Sequence, residues 1–129
     1  MRSTVYVSCL CVWAHAEGFW LEAERAALAG LLEHLRRHVA ADDVEIAGPL
    51  EDRALLALEG PAAPAVLARA APRAAAPGAF ACADAAIAGV SVALAGFGES
   101  GESAVRIALA AELAPPVEVA LLAAGAPLG

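Results

Sequence analysis

The alternation of hydrophobic and polar positions predicts a strand hairpin followed by a helix in the first third of the chain. Residues 4–13, TVYVSCLCVW, are β-branched and aromatic with two apolar faces, which is typical of a central strand. A turn at 14–18 and a strand at 19–23 would complete the hairpin. Residues 23–40 then carry apolar side chains at helical spacing. These are Leu28, Leu31, Leu32, Leu35 and Val39.

The rest of the chain repeats this mixture of short strands and helices. Strands are predicted at 44–47, 54–58, 85–87, 90–95 and 105–109, and helices at 61–71 and from Pro115-Pro116 onward. Helices separated by pairs of strands indicate an α+β fold, an antiparallel sheet with helices packed on one face. We expect one domain over 1–129, with two α/β subdomains of roughly 1–72 and 73–129.

Composition and charge narrow the possible functions. The formal charge is −7, so the chain should repel phosphate backbones, and nucleic acid is not an expected partner. Cys9 and Cys11 would share one strand face and are expected to be small buried hydrophobes in a reducing compartment. The start does not resemble a signal peptide, and we expect no apolar run of the length that spans a membrane. A cytoplasmic protein without a membrane partner is expected.

Two segments carry a resemblance to a known family. Residues 50–72 read LEDRALLALEGPAAPAVLARAAP, and residues 85–103 read AAIAGVSVALAGFGESGES, with VRIAL after them. Both are similar to stretches of the aminomethyltransferases, the glycine-cleavage T-proteins. The ending LLAAGAPLG at 121–129 is similar to the family's segment after the next helix. The resemblance implies the ferredoxin-like halves of a folate-binding core.

The resemblance also implies a binding site in the loop at 98–103. Gly98, Gly101 and Glu102 match the family's glycine–glutamate pattern, with Ser100 where threonine is usual and Glu99 where an aromatic residue lies against the folate. Glu102 would accept two parallel N–H bonds from a pterin ring. The expected cofactor is tetrahydrofolate. The alternative interpretation of Glu102 is a solvated side chain in a polar loop.

The function implied is that of a truncated aminomethyltransferase-like protein. The family's catalytic carboxylate falls at Ser8 and Cys9, where this chain carries none. The γ subunit of sarcosine oxidase is similar too, through Phe19-Trp20-Leu21. We therefore expect a protein that binds tetrahydrofolate or a one-carbon folate, or an accessory subunit of a sarcosine oxidase-type complex. The alternative is an active folate-dependent aminomethyl or methyl transferase. A partner would supply the family's third domain or an oxidase subunit.

Other residues that could form a metal, catalytic or phosphate site are better interpreted without one. His34 and His38 have metal-capable spacing on the long helix but lie away from its leucine stripe, so surface histidines are favoured and no metal is expected. A cysteine nucleophile paired with His15 lacks an orienting third group. The sequence GESGES lacks a lysine and carries two negative charges, which disfavours a phosphate site.

Two further features leave alternatives open. Glu99 and Glu102 could share acid–base work, but two independent exposed acids are far commoner in such a loop. Trp13 and Trp20 could stack on a ligand, although packing in a core or an interface is the usual role of tryptophan.

Overall fold

The chain divides into two units between Glu51 and Asp52. The structure is a computed structural model that describes residues 10–128. The subdomain boundary predicted between residues 72 and 73 lies inside the second of these units.

The described part of the first unit contains the predicted hairpin. Strand β1, Cys11–His15, pairs antiparallel with β2, Gly18–Glu22, and the turn at residues 16–17 joins them. Trp13 is buried, and its indole N–H donates a hydrogen bond of 3.0 Å to the Glu22 carboxylate. Trp13 therefore has the packing role expected of a tryptophan with a polar partner. The start of the predicted strand, 4–9, lies outside the described residues.

The long helix of the first unit is also present. A 3-10 turn at Arg25–Ala27 leads into α1, Leu28–His38. Leu31 is its buried residue. Its last turn carries Arg36, Arg37 and His38, whose positive charge there opposes the negative end of the helix dipole.

The prediction of a strand at residues 44–47 is wrong. This segment has no regular secondary structure, and Val44 is exposed. Strand propensity stabilises a segment only when a neighbouring strand pairs with it. Within residues 10–128, no strand pairs with 44–47.

The second unit, described up to residue 128, contains four strands and two helices. They are β3, Arg53–Glu59; α2, Ala63–Ala70; β4, Cys82–Ile87; β5, Val90–Ala95; β6, Ala104–Ala110; and α3, Ala114–Gly125. The 3-10 turns Ala111–Leu113 and Ala126–Leu128 flank α3. The strands and helices predicted between residues 54 and 125 are thus confirmed, with most strands slightly longer than expected and α2 shorter.

The four strands form one antiparallel sheet in the order β3-β6-β5-β4. The connection through α2 carries the chain from one edge of this sheet to the other. On the central strand β6, Ile107 pairs with Leu56 on one side and Leu94 on the other. Together with the hairpin of the first unit, this sheet confirms the α+β class.

The core of the second unit lies between the sheet and its helices. Alternate residues of a strand face the same side, and the inward positions of β5 and β6 are large and apolar. Leu67 and Ala71, in and just after α2, and Ala114 and Val117 of α3 share one buried cluster with Ile107. Both helices therefore cover the same face of the sheet, as predicted.

The last helical segment is apolar enough to be compared with a membrane span. By length and composition alone, Ala111–Leu128 could cross a membrane, so the expectation that no apolar run reaches this length was wrong. A mostly buried core helix passes the same test, but 11% of this segment is buried, with Ala114 and Val117 in the core of the second unit.

Candidate ligand-binding site

The loop predicted to bind a ligand lies beside the end of strand β3. It joins β5 to β6, and the register of the sheet places Glu59, the last residue of β3, opposite Ala104. The Gly60 N–H donates a hydrogen bond of 2.8 Å to the Ser103 carbonyl. The Glu99 N–H donates a longer one, 3.4 Å, to the Glu59 carboxylate. The loop is therefore attached to β3 near both of its ends.

Glu59 is the residue around which this loop is organised. Its pKa is lowered, first because the Ser100 hydroxyl donates a hydrogen bond to its carboxylate, with smaller contributions from the Glu99 N–H and the positive charge of Arg106. Donors that bond the charged form of an acid favour that form. The Ser100 oxygen in turn accepts a hydrogen bond of 3.4 Å from the Glu102 N–H.

Arg106 connects the loop to the sheet. Its guanidinium lies 3.2 Å from the Glu99 carboxylate, with the arginine side chain 12% exposed and the glutamate 80% exposed. The same guanidinium lies 5.7 Å from the centre of the Phe97 ring, within the range of a cation–π contact. The partly buried Arg106 guanidinium therefore holds the exposed Glu99 carboxylate near the start of the loop.

The structure explains why glycine occupies positions 98 and 101 of the loop. A Cβ at Gly98 would collide with the Ala104 side chain and lie 3.4 Å from the Glu59 carboxylate. Gly101 adopts a φ of +79°, a conformation that residues with a Cβ rarely adopt. Both glycines thus permit the tight path of the loop past the end of β3.

The predicted site residues are partly brought together. Gly98, Glu99 and Ser100 adjoin Glu59, whereas Glu102 is exposed, and its pterin-binding role stays a prediction. Sequence reasoning missed Glu59, although this residue stands in the LALEGP segment that carried the resemblance. The sequence signal that could have identified Glu59 is an acidic residue at the end of a strand, directly before Gly-Pro.

The histidines and cysteines offer no competing site in the described part of the chain. The rings of His34 and His38 lie 4.3 Å apart on exposed positions, and no group of three potential ligands gathers there or elsewhere between residues 10 and 128. Cys11 and His15 lie at opposite ends of β1, about 13 Å apart for a strand of that length. Ser8 and Cys9, the positions matched to the family's catalytic carboxylate, lie outside the described residues.

A separate hollow of about 280 Å³ is lined by residues 70–74 and 84–86. Apart from Arg73 and Asp84, its lining carries no charged side chain, and it includes none of the predicted site residues. We therefore place the candidate site at the loop and not at this hollow.

The fold and the loop define a class of protein: an α+β domain in which a glycine-containing acidic loop is attached to the Glu59-Gly60-Pro61 end of an antiparallel sheet. The family model of the GCVT N-terminal domain matches residues 3–129. The chain therefore belongs to the aminomethyltransferase, or glycine-cleavage T-protein, family, which confirms the resemblance. That family is folate-dependent in general. A comparison with curated proteins finds no match.

The lowered pKa of Glu59 leads to a testable pH dependence. The ionised carboxylate accepts the loop's hydrogen bonds, so this contribution to stability is present above the ordinary pKa of 4.5 and is lost as the pH falls through the lowered value. Ser100→Ala removes the main donor and should move the Glu59 midpoint up toward 4.5. Carboxyl ¹³C NMR titration of both proteins measures this shift. An equal midpoint in both would contradict the assigned hydrogen bond.

Proposed function

We propose that this chain binds tetrahydrofolate, or a one-carbon derivative of it, at the loop of residues 98–103. The observation that carries the proposal is the attachment of this loop to Glu59, which leaves the Glu99 and Glu102 side chains exposed to solvent. Membership of a generally folate-dependent family supports the same ligand. Exposed carboxylates suit the amino and ring N–H groups of a pterin, because each can accept two parallel hydrogen bonds.

The protein then acts as a binding or accessory component of one-carbon metabolism, in the manner of a subunit of a sarcosine oxidase-type complex. A protein partner is part of this proposal. Val119 and Leu122 on α3 are 66% and 75% exposed, and large apolar side chains that remain in water on one helix support an interface.

The ligand part of the proposal is tested by thermal stability. Tetrahydrofolate, kept reduced, at ten times its dissociation constant should stabilise the folded protein by about 1.4 kcal/mol and raise Tm by roughly 5 °C. Glu102→Ala should remove most of this rise because it deletes the expected acceptor. Differential scanning calorimetry with and without the ligand measures both.

The matched control is Glu118→Ala, which removes an exposed glutamate from α3 and should keep the full rise. The absence of any rise at millimolar ligand in the unmodified chain would refute folate binding. A full rise in Glu102→Ala would instead show that this residue is not the acceptor.

A further inference from the structure

Phe80 adopts a backbone conformation that its residue type disfavours. Its φ is +58°, and its side chain is 86% exposed. A bulky residue in the left-handed region is strained, and such strain is concentrated at functional sites. Burial does not compensate for this strain, because the ring lies almost entirely in water.

The surrounding backbone holds Phe80 in place. Its N–H donates a hydrogen bond of 2.8 Å to the Gly96 carbonyl, and the Gly96 N–H donates one of 2.9 Å to the Ala81 carbonyl. Gly96 permits this close approach because a Cβ there would collide with the Gly78 carbonyl group. The connection before β4 is thus fixed against the end of β5, where the candidate loop begins.

Phe80 and Phe97 form an aromatic pair next to the charged residues of the loop. Their ring centres lie 6.2 Å apart at an interplanar angle of 47°. Phe97 contacts the Arg106 guanidinium, which in turn bonds the Glu99 carboxylate. A continuous series of contacts therefore runs from the two rings to a carboxylate of the candidate site.

We propose that the aromatic pair Phe80–Phe97 is the surface on which a flat conjugated ring of the ligand stacks, with the N–H groups of that ring directed to the loop carboxylates. This inference rests on the proposed function and assigns the ring system of the folate to these two residues. Offset or tilted aromatic stacking accounts for the attraction. Two rings bordered by charges match the size of a small molecule, whereas a protein interface needs about 800 Å² on each partner.

The three phenylalanines of the chain make a direct test possible. Phenylalanine labelled with ¹³C in the ring gives separate signals for Phe80, Phe97 and Phe19, and Phe19 lies on β2 in the other unit. Titration with reduced tetrahydrofolate should shift the Phe80 and Phe97 ring signals and leave that of Phe19 unchanged. The backbone amides of residues 99–102 should shift over the same concentration range.

Substitutions measure how much the two phenylalanines contribute to tetrahydrofolate binding. Phe80→Leu and Phe97→Leu should each weaken tetrahydrofolate binding about twofold to tenfold, while Phe19→Leu should leave the Kd unchanged. Phe80→Asn should weaken binding as well but raise Tm by a few degrees, since asparagine tolerates the left-handed conformation. A lower Tm in Phe80→Asn would mean that the ring stabilises the fold, and this result would overturn its assignment to a ligand.

The outcomes of the titration separate the two proposals. If the loop amides shift while the Phe80 and Phe97 rings do not, the stacking surface is refuted and folate binding stands. If no signal shifts at millimolar tetrahydrofolate, the proposed function fails, and the stacking surface fails with it.

Discussion

Ile107→Ala is expected to lower the free energy of unfolding of the second unit by about 3 kcal/mol, within the roughly 2 to 5 kcal/mol of such truncations. Ile107 is fully buried on the central strand of the sheet, between Leu56 and Leu94. Its neighbours Leu56 and Leu94 are held by strand pairing, so they should close the cavity only in part. Tm should fall by roughly 10 °C.

The measurement is hydrogen exchange of the β5 and β6 amides together with calorimetry. The matched control is Leu122→Ala, since Leu122 is 75% exposed on α3 and its truncation should cost less than about 0.5 kcal/mol. Equal losses in the two variants would contradict the placement of the core.

Gly96→Ala is the second substitution with a large expected effect. The new methyl group would collide with the Gly78 carbonyl oxygen and lie 2.9 Å from that of Pro77. Backbone atoms cannot move aside as a flexible side chain can, so we expect a loss of about 1 to 3 kcal/mol. The hydrogen bonds that join residues 80 and 81 to Gly96 should open, and the Phe80 amide should exchange faster.

Gly30→Ala provides the control for this change. Gly30 lies within α1, and a Cβ there meets no neighbouring atom within 4 Å. Alanine should stabilise this helix by up to about 1 kcal/mol, because it has a higher helix propensity. Unchanged exchange of the Phe80 amide in Gly96→Ala would refute the close approach of the two segments.

The elements that depend on local periodicity were predictable from the sequence. Apolar side chains at helical spacing from Leu28 to Val39 identify a helix, and apolar side chains at every second position around Arg106 identify a strand. The two patterns can be told apart because the side-chain period differs between helix and strand. The segment 44–47 was not predictable in this way. Its composition is that of a strand, but strand formation depends on a partner, and pairing is not encoded in the segment itself.

The site was predictable only in part, for a related reason. The glycines and acids of the loop are adjacent in sequence, so a motif could reveal them. Glu59 lies 40 residues before Glu99, and only the pairing of β3 with β6 brings the two together. Phe80 was missed because its left-handed backbone results from the contact with Gly96, while phenylalanine itself favours a strand.

The placement of the tryptophans determines which part of the protein its intrinsic fluorescence reports on. Trp13 and Trp20 are opposite each other across the β1–β2 hairpin, and these are the chain's two indoles. Tryptophan fluorescence from this protein therefore follows melting of the hairpin, while the second unit, which contains Glu59 and Phe97, has no tryptophan of its own. A tryptophan introduced at Leu121, which packs partly buried against the core of the second unit, would give each unit its own fluorescence signal and reveal whether the two melt together.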